Sequence, residues 1–247
     1  MTAPVVAAVV PAAGLGQRLG ADGPKAMHLL GGEPMLVHSV RTLAAGPVDL
    51  VVVATPPGLG AEVLELLAGA HPGAELSVVD GGATRSDSVR LALAALPPSV
   101  RVVLVHDAAR PLVPAALVAA VVAAVEGGAD AVVPGLPVTD TVKQVDGADV
   151  VVATVDRSAL RAVQTPQGFR REVLDTAYAG PESGSATDDA GHCDIVERCG
   201  VICEFLIRFV SFAGNQYNVA VPCVLDRALN GRFAIEDHLV ISLCHAR

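Results

Sequence analysis

Lysine is almost missing from this chain. Its 247 residues include 15 arginines but only two lysines, Lys25 and Lys143. The formal net charge is −9 and no segment is rich in lysine or arginine. Nucleic-acid binders carry a basic patch or stripe, so the composition argues against that class. No apolar run reaches the roughly 20 residues that span a bilayer. The richest, Ala115 to Val125, is made mostly of alanine and valine and reads as a buried helix. The basic start of a signal peptide is also missing, so a cytoplasmic enzyme with no membrane partner is expected. Close cysteine pairs are absent too. Cys193, Cys199, Cys203, Cys223 and Cys244 are odd in number and contain no C-x-x-C. A disulfide framework is therefore not indicated. His192 beside Cys193 is all that keeps a zinc site in view; the competing reading is a set of buried thiols.

What is present is a chain for folding. Apolar residues make up 52% of it, which rules out disorder. The length fits a single domain with a substantial core, 1–247, although two small domains would also fit. Strand-like and helix-like segments alternate through the first two-thirds: "PVVAAVVP", "PMLVHSVRTLAA", "VDLVVVAT", "LGAEVLELLAGA", "AELSVVD", "TRSDSVRLALAAL", "VRVVLVHD", "PAALVAAVVAAVEGG" and "ADAVVPG". Near-continuous valine and leucine strands between helices predict a three-layer α/β/α fold with a Rossmann-like, mostly parallel sheet. Right-handed crossovers then bring the loops after the strands to one edge, where ligands bind. The opening loop, "DGGATRSDS" and "HDAARP" converge there. The pattern changes at 137–157, where two extended runs joined by Asp146-Gly147 read as a protruding β-hairpin arm. A two-stranded ribbon is marginal alone, so the arm should pack on something, a second subunit being one option. The segment 191–247 holds every cysteine and four of the five phenylalanines. Within it, "VICEFLIRFVSFAG" fits a buried strand or a helix.

The opening loop, "VVPAAGLGQRLGADGPKAM" (Val9 to Met27), places three glycines and two cations after a strand. Glycine lets main-chain N–H groups approach an anion, and a following helix adds its positive end. Arg18 and Lys25 would add charge-assisted contacts. Phosphate is the natural guest; an ordinary strand-to-helix turn is the alternative. The spacing Gly14–Gly16–Gly20 is neither G-x-G-x-x-G nor a P-loop, and Ala54-Thr55 stands where a dinucleotide fold wants an acid. NAD binding and P-loop hydrolysis both lose ground.

"PAAGLGQRLG…GPKA", "DGGATRSDSV", "VHDAARP", "DTVKQV", "TVDRSALRAVQTPQGF" and "ATDDA" together resemble, in order and spacing from about Val5 to Ala190, the 2-C-methyl-D-erythritol 4-phosphate cytidylyltransferases of non-mevalonate isoprenoid synthesis. The resemblance implies the nucleotidyltransferase fold, CTP as nucleotide, a polyol phosphate as acceptor, Mg2+, and a homodimer whose arms exchange. The implied reaction is attack by the acceptor's phosphate oxygen on the α-phosphorus of CTP. Such a nucleophile is already anionic, so the site must neutralise and position rather than supply a base. No G-x-S-x-G occurs, and the seven histidines form no evident triad.

Carried over residue by residue, Arg18 and Lys25 would hold the triphosphate, and Ala12, Ala13, Gly14 and Gly16 would line it with main chain. Gly82 would leave room for the base; Ser88, Arg85 and Ala108 would serve the nucleotide. The bland reading of that second motif is a turn capped by Thr84 or Ser86. Asp107 ends a buried strand at the ligand edge and would hold the cation; its rival role is an ion pair with Arg110. Arg110 would otherwise serve the nucleotide or the acceptor. Thr141 and Arg157, on the arm, would grip the acceptor and belong to the neighbouring subunit's site. Thr165 in "QTPQ" would line the site. Asp188 and Asp189 follow Thr187, where helix capping outweighs catalysis.

The match fails in one place. The family carries a lysine in a "K-V-T-x-P" strand near its C-terminus, whereas "NVAVP" here puts Asn218 at that position, and a short insertion follows "TDDA". Loss of one charge-assisted phosphate contact costs about 1.5–3 kcal/mol. Transfer to another acceptor such as ribitol 5-phosphate, and a non-catalytic nucleotide-binding dimer, are the alternatives.

Overall fold

The computed structural model describes residues 5–14, 24–179, 188–194 and 201–204, with backbone alone at 192–194 and 201–204. In chain order the elements are β1 (Val6–Pro11), β2 (Leu29–Leu30), β3 (Glu33–Pro34), α1 (Met35–Ala44), β4 (Leu50–Thr55), α2 (Gly60–Leu66), β5 (Glu75–Asp80), α3 (Arg85–Ala94), β6 (Val102–Val105), α4 (Ala115–Glu126) and β7 (Ala131–Pro137). There follow β8 (Val142–Val145), β9 (Val151–Val155), β10 (Arg161–Val163), β11 (Gln167–Arg170), α5 (Arg171–Ala179), α6 (Asp189–Asp194) and β12 (Val201–Glu204). The expected alternation of strand and helix is present from β1 to β7.

The main sheet runs β10-β7-β11-β6-β1-β4-β5, with β12 also paired to β7. β1 is parallel to both β4 and β6, and β4 to β5. Successive side chains of a strand point to opposite faces, and this sheet is covered on both. From β1, Ala8 and Val10 join a cluster with Leu36 and Val40 of α1, Val63 of α2 and Val118 and Val121 of α4. Ala7 and Val9 join the opposite cluster, with Val89 and Leu93 of α3 and Val173 and Leu174 of α5. That is why the strands are apolar throughout rather than alternating. Each fully buried valine or leucine contributes about 1.5–3 kcal/mol.

β4 and β6 lie on opposite sides of β1, so the chain reverses its direction of winding there. The reversal opens a crevice at the carboxyl end of β1. The mostly parallel reading stands, with two departures, of which the first is β10 at the sheet edge, antiparallel to β7. β11 inserts between β6 and β7, antiparallel to both. Gly168 makes that insertion possible. A Cβ there would lie 2.4 Å from Val121 Cγ1 and 3.2 Å from Val125 Cγ2 of α4.

The arm forms a separate two-stranded sheet of β8 and β9. Its turn is longer than a two-residue Asp-Gly connection. The Asp146 carboxylate accepts the N–H groups of Ala148 and Val150, and Asp149 takes a φ of 60°. The local side-chain cap wins over the tighter turn. Val145, Val150, Val151 and Val152 of the arm are all exposed. "VICE" of the tail is strand β12, parallel to β7. Residues 205–247, which include Asn218, lie outside the described residues, as do Cys199, Cys223 and Cys244. Among the described residues no helix is long and apolar enough to cross a membrane.

Gly168→Ala should destabilise the protein by about 1–3 kcal/mol, because the new methyl overpacks the β11–α4 contact. Chemical denaturation measures it, and an unchanged midpoint would show that α4 yields to the methyl.

Candidate active site

Loops from the carboxyl ends of β1, β5 and β6 meet the segment before β11 around a cavity of 830 Å3. Main chain forms much of its floor. Ala12, Ala13 and Gly14 follow β1, and a methyl on Gly14 would meet nothing within 4 Å. Gly14 C=O accepts the Lys25 N–H at 3.1 Å, so the two ends of the glycine loop are tied together. Lys25 opens a short 3-10 turn, Lys25–Met27, whose Ala26 is buried in the core, and it lines the cavity. Ala12 N–H is already bonded to Ala54 C=O at 2.8 Å, so its contribution is shape rather than a free donor. Arg18 and Gly16 lie outside the described residues.

The second loop is held from within. Thr84 caps α3 in a reciprocal capping box with Asp87, which settles the choice between Thr84 and Ser86. Ser88 is buried; its hydroxyl donates to Thr84 C=O at 3.0 Å and accepts the Gly82 N–H at 3.1 Å. Ser88 therefore supports the loop's shape, and Gly82 N–H is spent. Gly82 lines the cavity, where a role beside the base was expected, and it has a structural reason to be glycine as well. A Cβ on Gly82 would stand 2.2 Å from Asp87 Cβ, so glycine is required by the helix start beneath it.

The third loop carries the charges. Asp107 accepts from Arg85 Nε and Nη2 on one oxygen (3.1 and 2.9 Å) and from Arg110 Nε on the other (3.2 Å). Burial works against its charge, yet the Arg85 and Arg110 guanidinium groups hold its carboxyl below the usual carboxylate range. The ion pair with Arg110 is thus present, and Arg85 joins it. Burial also opposes the charge on Arg85, but Asp189 and Asp107 more than offset it and its pKa is raised. Ala108 is buried, and its C=O accepts from Ser39 Oγ at 3.1 Å. Arg110 Nη1 also donates to Gln164 Oε1 at 2.5 Å. Thr165 lines the cavity, but its hydroxyl is engaged with Asp107 N–H (3.2 Å) and His106 Nδ1 (3.0 Å).

A carboxylate offers about four acceptor positions, and three of Asp107's are taken. The position left on Oδ2 fits a cation that is held chiefly by phosphate oxygens and water, as Mg2+ is. No group of three His, Cys, Asp or Glu residues able to hold a metal occurs among the described residues.

Two expected residues are not brought into the cavity by this chain. Thr141 and Arg157 sit on the arm, exposed, and neither lines it. Arg157 Nη1 instead donates to Thr139 C=O. Two residues read only as helix caps also reach the site. Asp188 accepts the Gly191 N–H of α6 at 3.0 Å, and it also lines the cavity and accepts from Gln167 Nε2; Thr187 lies outside the described residues. Asp189 is fully buried on Arg85 Nη2 (2.7 Å) and on the Tyr178 hydroxyl (2.5 Å). Its partner Arg85 is 104 residues away, beyond the reach of any spacing rule.

A glycine-loop end, one lysine and two carboxylate-bound arginines, set at the switch point of a doubly covered sheet, suit a phosphate-bearing ligand, and the class of the chain is nucleotidyltransferase. The chain belongs to the 2-C-methyl-D-erythritol 4-phosphate cytidylyltransferase family, whose model matches residues 6–226. The cytidylyltransferase of that name from Frankia casuarinae is 54% identical over 235 residues, covering 94% of this chain and 84% of the relative. That of Streptomyces avermitilis is 54% identical over 233 residues, covering 90% and 89%. Among solved structures, the enzyme from Thermus thermophilus is 35% identical with a TM-score of 0.63, covering 82% of this chain and 89% of that one. The Anaerococcus prevotii structure, 24% identical, shares the fold at a TM-score of 0.70, covering 81% and 87%.

His106 generates an acid-side prediction. Burial lowers its pKa from 6.5 to about 4, although Asp107 and the Arg110 main chain pull the other way. Between those values the unfolded ring binds a proton and the folded ring does not. Stability should fall by roughly 3 kcal/mol as pH drops through that window. The depressed Asp107 adds a loss only lower, as pH falls through its folded pKa. Denaturation midpoints across pH should flatten between 6.5 and 4 in His106→Asn; an unaltered slope would assign the loss elsewhere.

Proposed function

We propose that the chain transfers the cytidylyl group of CTP to 2-C-methyl-D-erythritol 4-phosphate and releases pyrophosphate. The observation that carries this reading is the cavity's charge arrangement. Lys25, Arg85 and Arg110 line it with the carboxylates of Asp107 and Asp188, while the hydroxyls of Ser88 and Thr165 are committed within the protein. His106 is wholly buried and kept neutral, which removes it as a general base in contact with substrate. A site so equipped suits a reaction whose nucleophile arrives ionised.

In this reading an oxygen of the acceptor's phosphate forms a bond to the α-phosphorus of CTP, and the bond from that phosphorus to the β-phosphate oxygen breaks. Ala13 and Gly14 bound the triphosphate with main chain, and Lys25 meets the charge that spreads over its oxygens. Arg18, from the same loop, is assigned the same task. Arg85 and Arg110 hold Asp107, which would bind Mg2+; that ion would neutralise the triphosphate and the leaving pyrophosphate. Arg110 and Gln164 close the cavity on the acceptor side.

The arm completes the proposal. Four exposed valines on a free-standing ribbon favour burial against another surface. We assign the arm, 137–157, to exchange between the protomers of a cytoplasmic homodimer built from single-domain chains, with Thr141 and Arg157 reaching the partner's acceptor site. Position 218 bears on how tightly the acceptor's phosphate is held.

Lys25→Ala should lower turnover by about two orders of magnitude or more while leaving the denaturation midpoint unchanged. The check is pyrophosphate release with CTP, Mg2+ and either 2-C-methyl-D-erythritol 4-phosphate or ribitol 5-phosphate. Release with the second acceptor alone would replace the substrate, and no release with either would overturn the activity. The arm assignment predicts that Lys25→Ala and Arg157→Ala, each inactive, recover about a quarter of wild-type activity when co-expressed, since only mixed dimers hold one intact site. No recovery would place Arg157 in its own chain's site or in none.

A further inference from the structure

Asp189 is the only fully buried carboxylate among the described residues. A charge without water must be met by partners, and this one has two. Tyr178 donates its hydroxyl from one side at 2.5 Å, and Arg85 Nη2 donates from the other at 2.7 Å. The same nitrogen reaches Asp107 Oδ1 at 2.9 Å, and Asp107 Oδ2 in turn holds Arg110 Nε at 3.2 Å. A single line of contacts therefore runs from Tyr178 on α5, through Asp189 on α6 and Arg85 on α3, to the two residues of the β6 loop at the cavity wall. Asp107 alone leaves the guanidinium free to swing, since both of its bonds to Arg85 use the one oxygen. Asp189 grips the same group from behind and fixes the plane.

We propose that Asp189, backed by Tyr178, is a positioning residue for cytidylyl transfer: it sets the Arg85 guanidinium, and through it the Asp107 carboxylate, at the wall of the cavity. The proposal rests on the cytidylyltransferase reading. Without Asp189, Arg85 would draw on Asp107 alone, and the carboxylate position left open for the cation would shift with it. Asp189 touches no substrate; it acts through Arg85.

Four variants test this: Asp189→Asn, Tyr178→Phe, Arg85→Gln and the Arg85→Gln/Asp189→Asn pair. Asp189→Asn should lower kcat about tenfold or more and change KM for CTP much less. Tyr178→Phe strands no charge and should fold; its kcat should fall about two- to threefold. The paired variant should be no slower than Arg85→Gln, because both losses pass through one group. A readout independent of turnover is the 15N side-chain signal of Arg85 Nε–H, assigned by its disappearance in Arg85→Gln. It should exchange slowly in the wild type and move or broaden in Asp189→Asn and Tyr178→Phe. Wild-type kcat in either variant, losses that multiply in the pair, or an unmoved Arg85 signal would overturn the proposal. A wild-type protein that released no pyrophosphate would instead sink the cytidylyltransferase reading, and the Arg85 signal would still decide whether Asp189 holds the guanidinium.

Discussion

The contact on which the site depends is one guanidinium shared by two carboxylates. Arg85 keeps only 34% of its side chain in water. A cation taken that far out of solvent is tolerable only with matched anions beside it. Asp107 and Asp189 supply them, and Arg110 balances the second negative charge. This cluster is thereby close to neutral, two cations against two anions. Asp188 adds a further carboxylate at the cavity and Lys25 a further cation, one with no ion-pair partner among the described residues. A triphosphate entering such a site meets a wall already satisfied and one cation that is not.

The fold explains why these groups can meet. Asp107, Arg85 and Lys25 come from three different strand-to-helix connections, and winding reverses at β1 so that all three connections border one crevice. β11 then brings Thr165 and Gln167 against β6 from the other side. Gln167 Nε2 donates to Asp188, and its Oε1 accepts the Ala190 N–H at 3.0 Å, so the start of α6 is docked by the same strand. The apolar layers on both faces of the sheet keep the strand ends fixed relative to one another. The loops need carry no rigidity of their own beyond short caps.

Much of this was legible in the sequence, for physical reasons. Period and composition announced β1 to β7 because strands buried on both faces must be apolar throughout. The glycine loop with Lys25, and Asp107 with Arg110, were legible as a site because they follow buried strands at the ligand edge, whereas Arg85 was assigned through the family resemblance. β11 was not, since four residues containing a glycine and following Pro166 carry no periodic signal. Its place is decided by the fit of Gly168 under α4. Ser88 and Thr165 both line the cavity, as read, but the internal bonds of their hydroxyls were not legible, because they depend on folded geometry rather than spacing. Asp188 and Asp189 read as one capping pair. Side by side on a helix start, they face different surroundings, one the cavity and one the interior between α5 and α3. The arm was legible as a hairpin, but its turn follows the reach of the Asp146 carboxylate rather than the Asp-Gly pair.

The bond between Gly14 C=O and Lys25 N–H has a bearing on how such a site can vary. It fixes both exits of the glycine loop to one point, independent of the ten residues that lie between them in the sequence. Closing a longer excursion between fixed ends costs only about 0.6 kcal/mol per doubling of its length. The length of that excursion can therefore vary at little cost while Lys25 keeps its place beside Gly14, so the anchor of the loop and its contents can change separately.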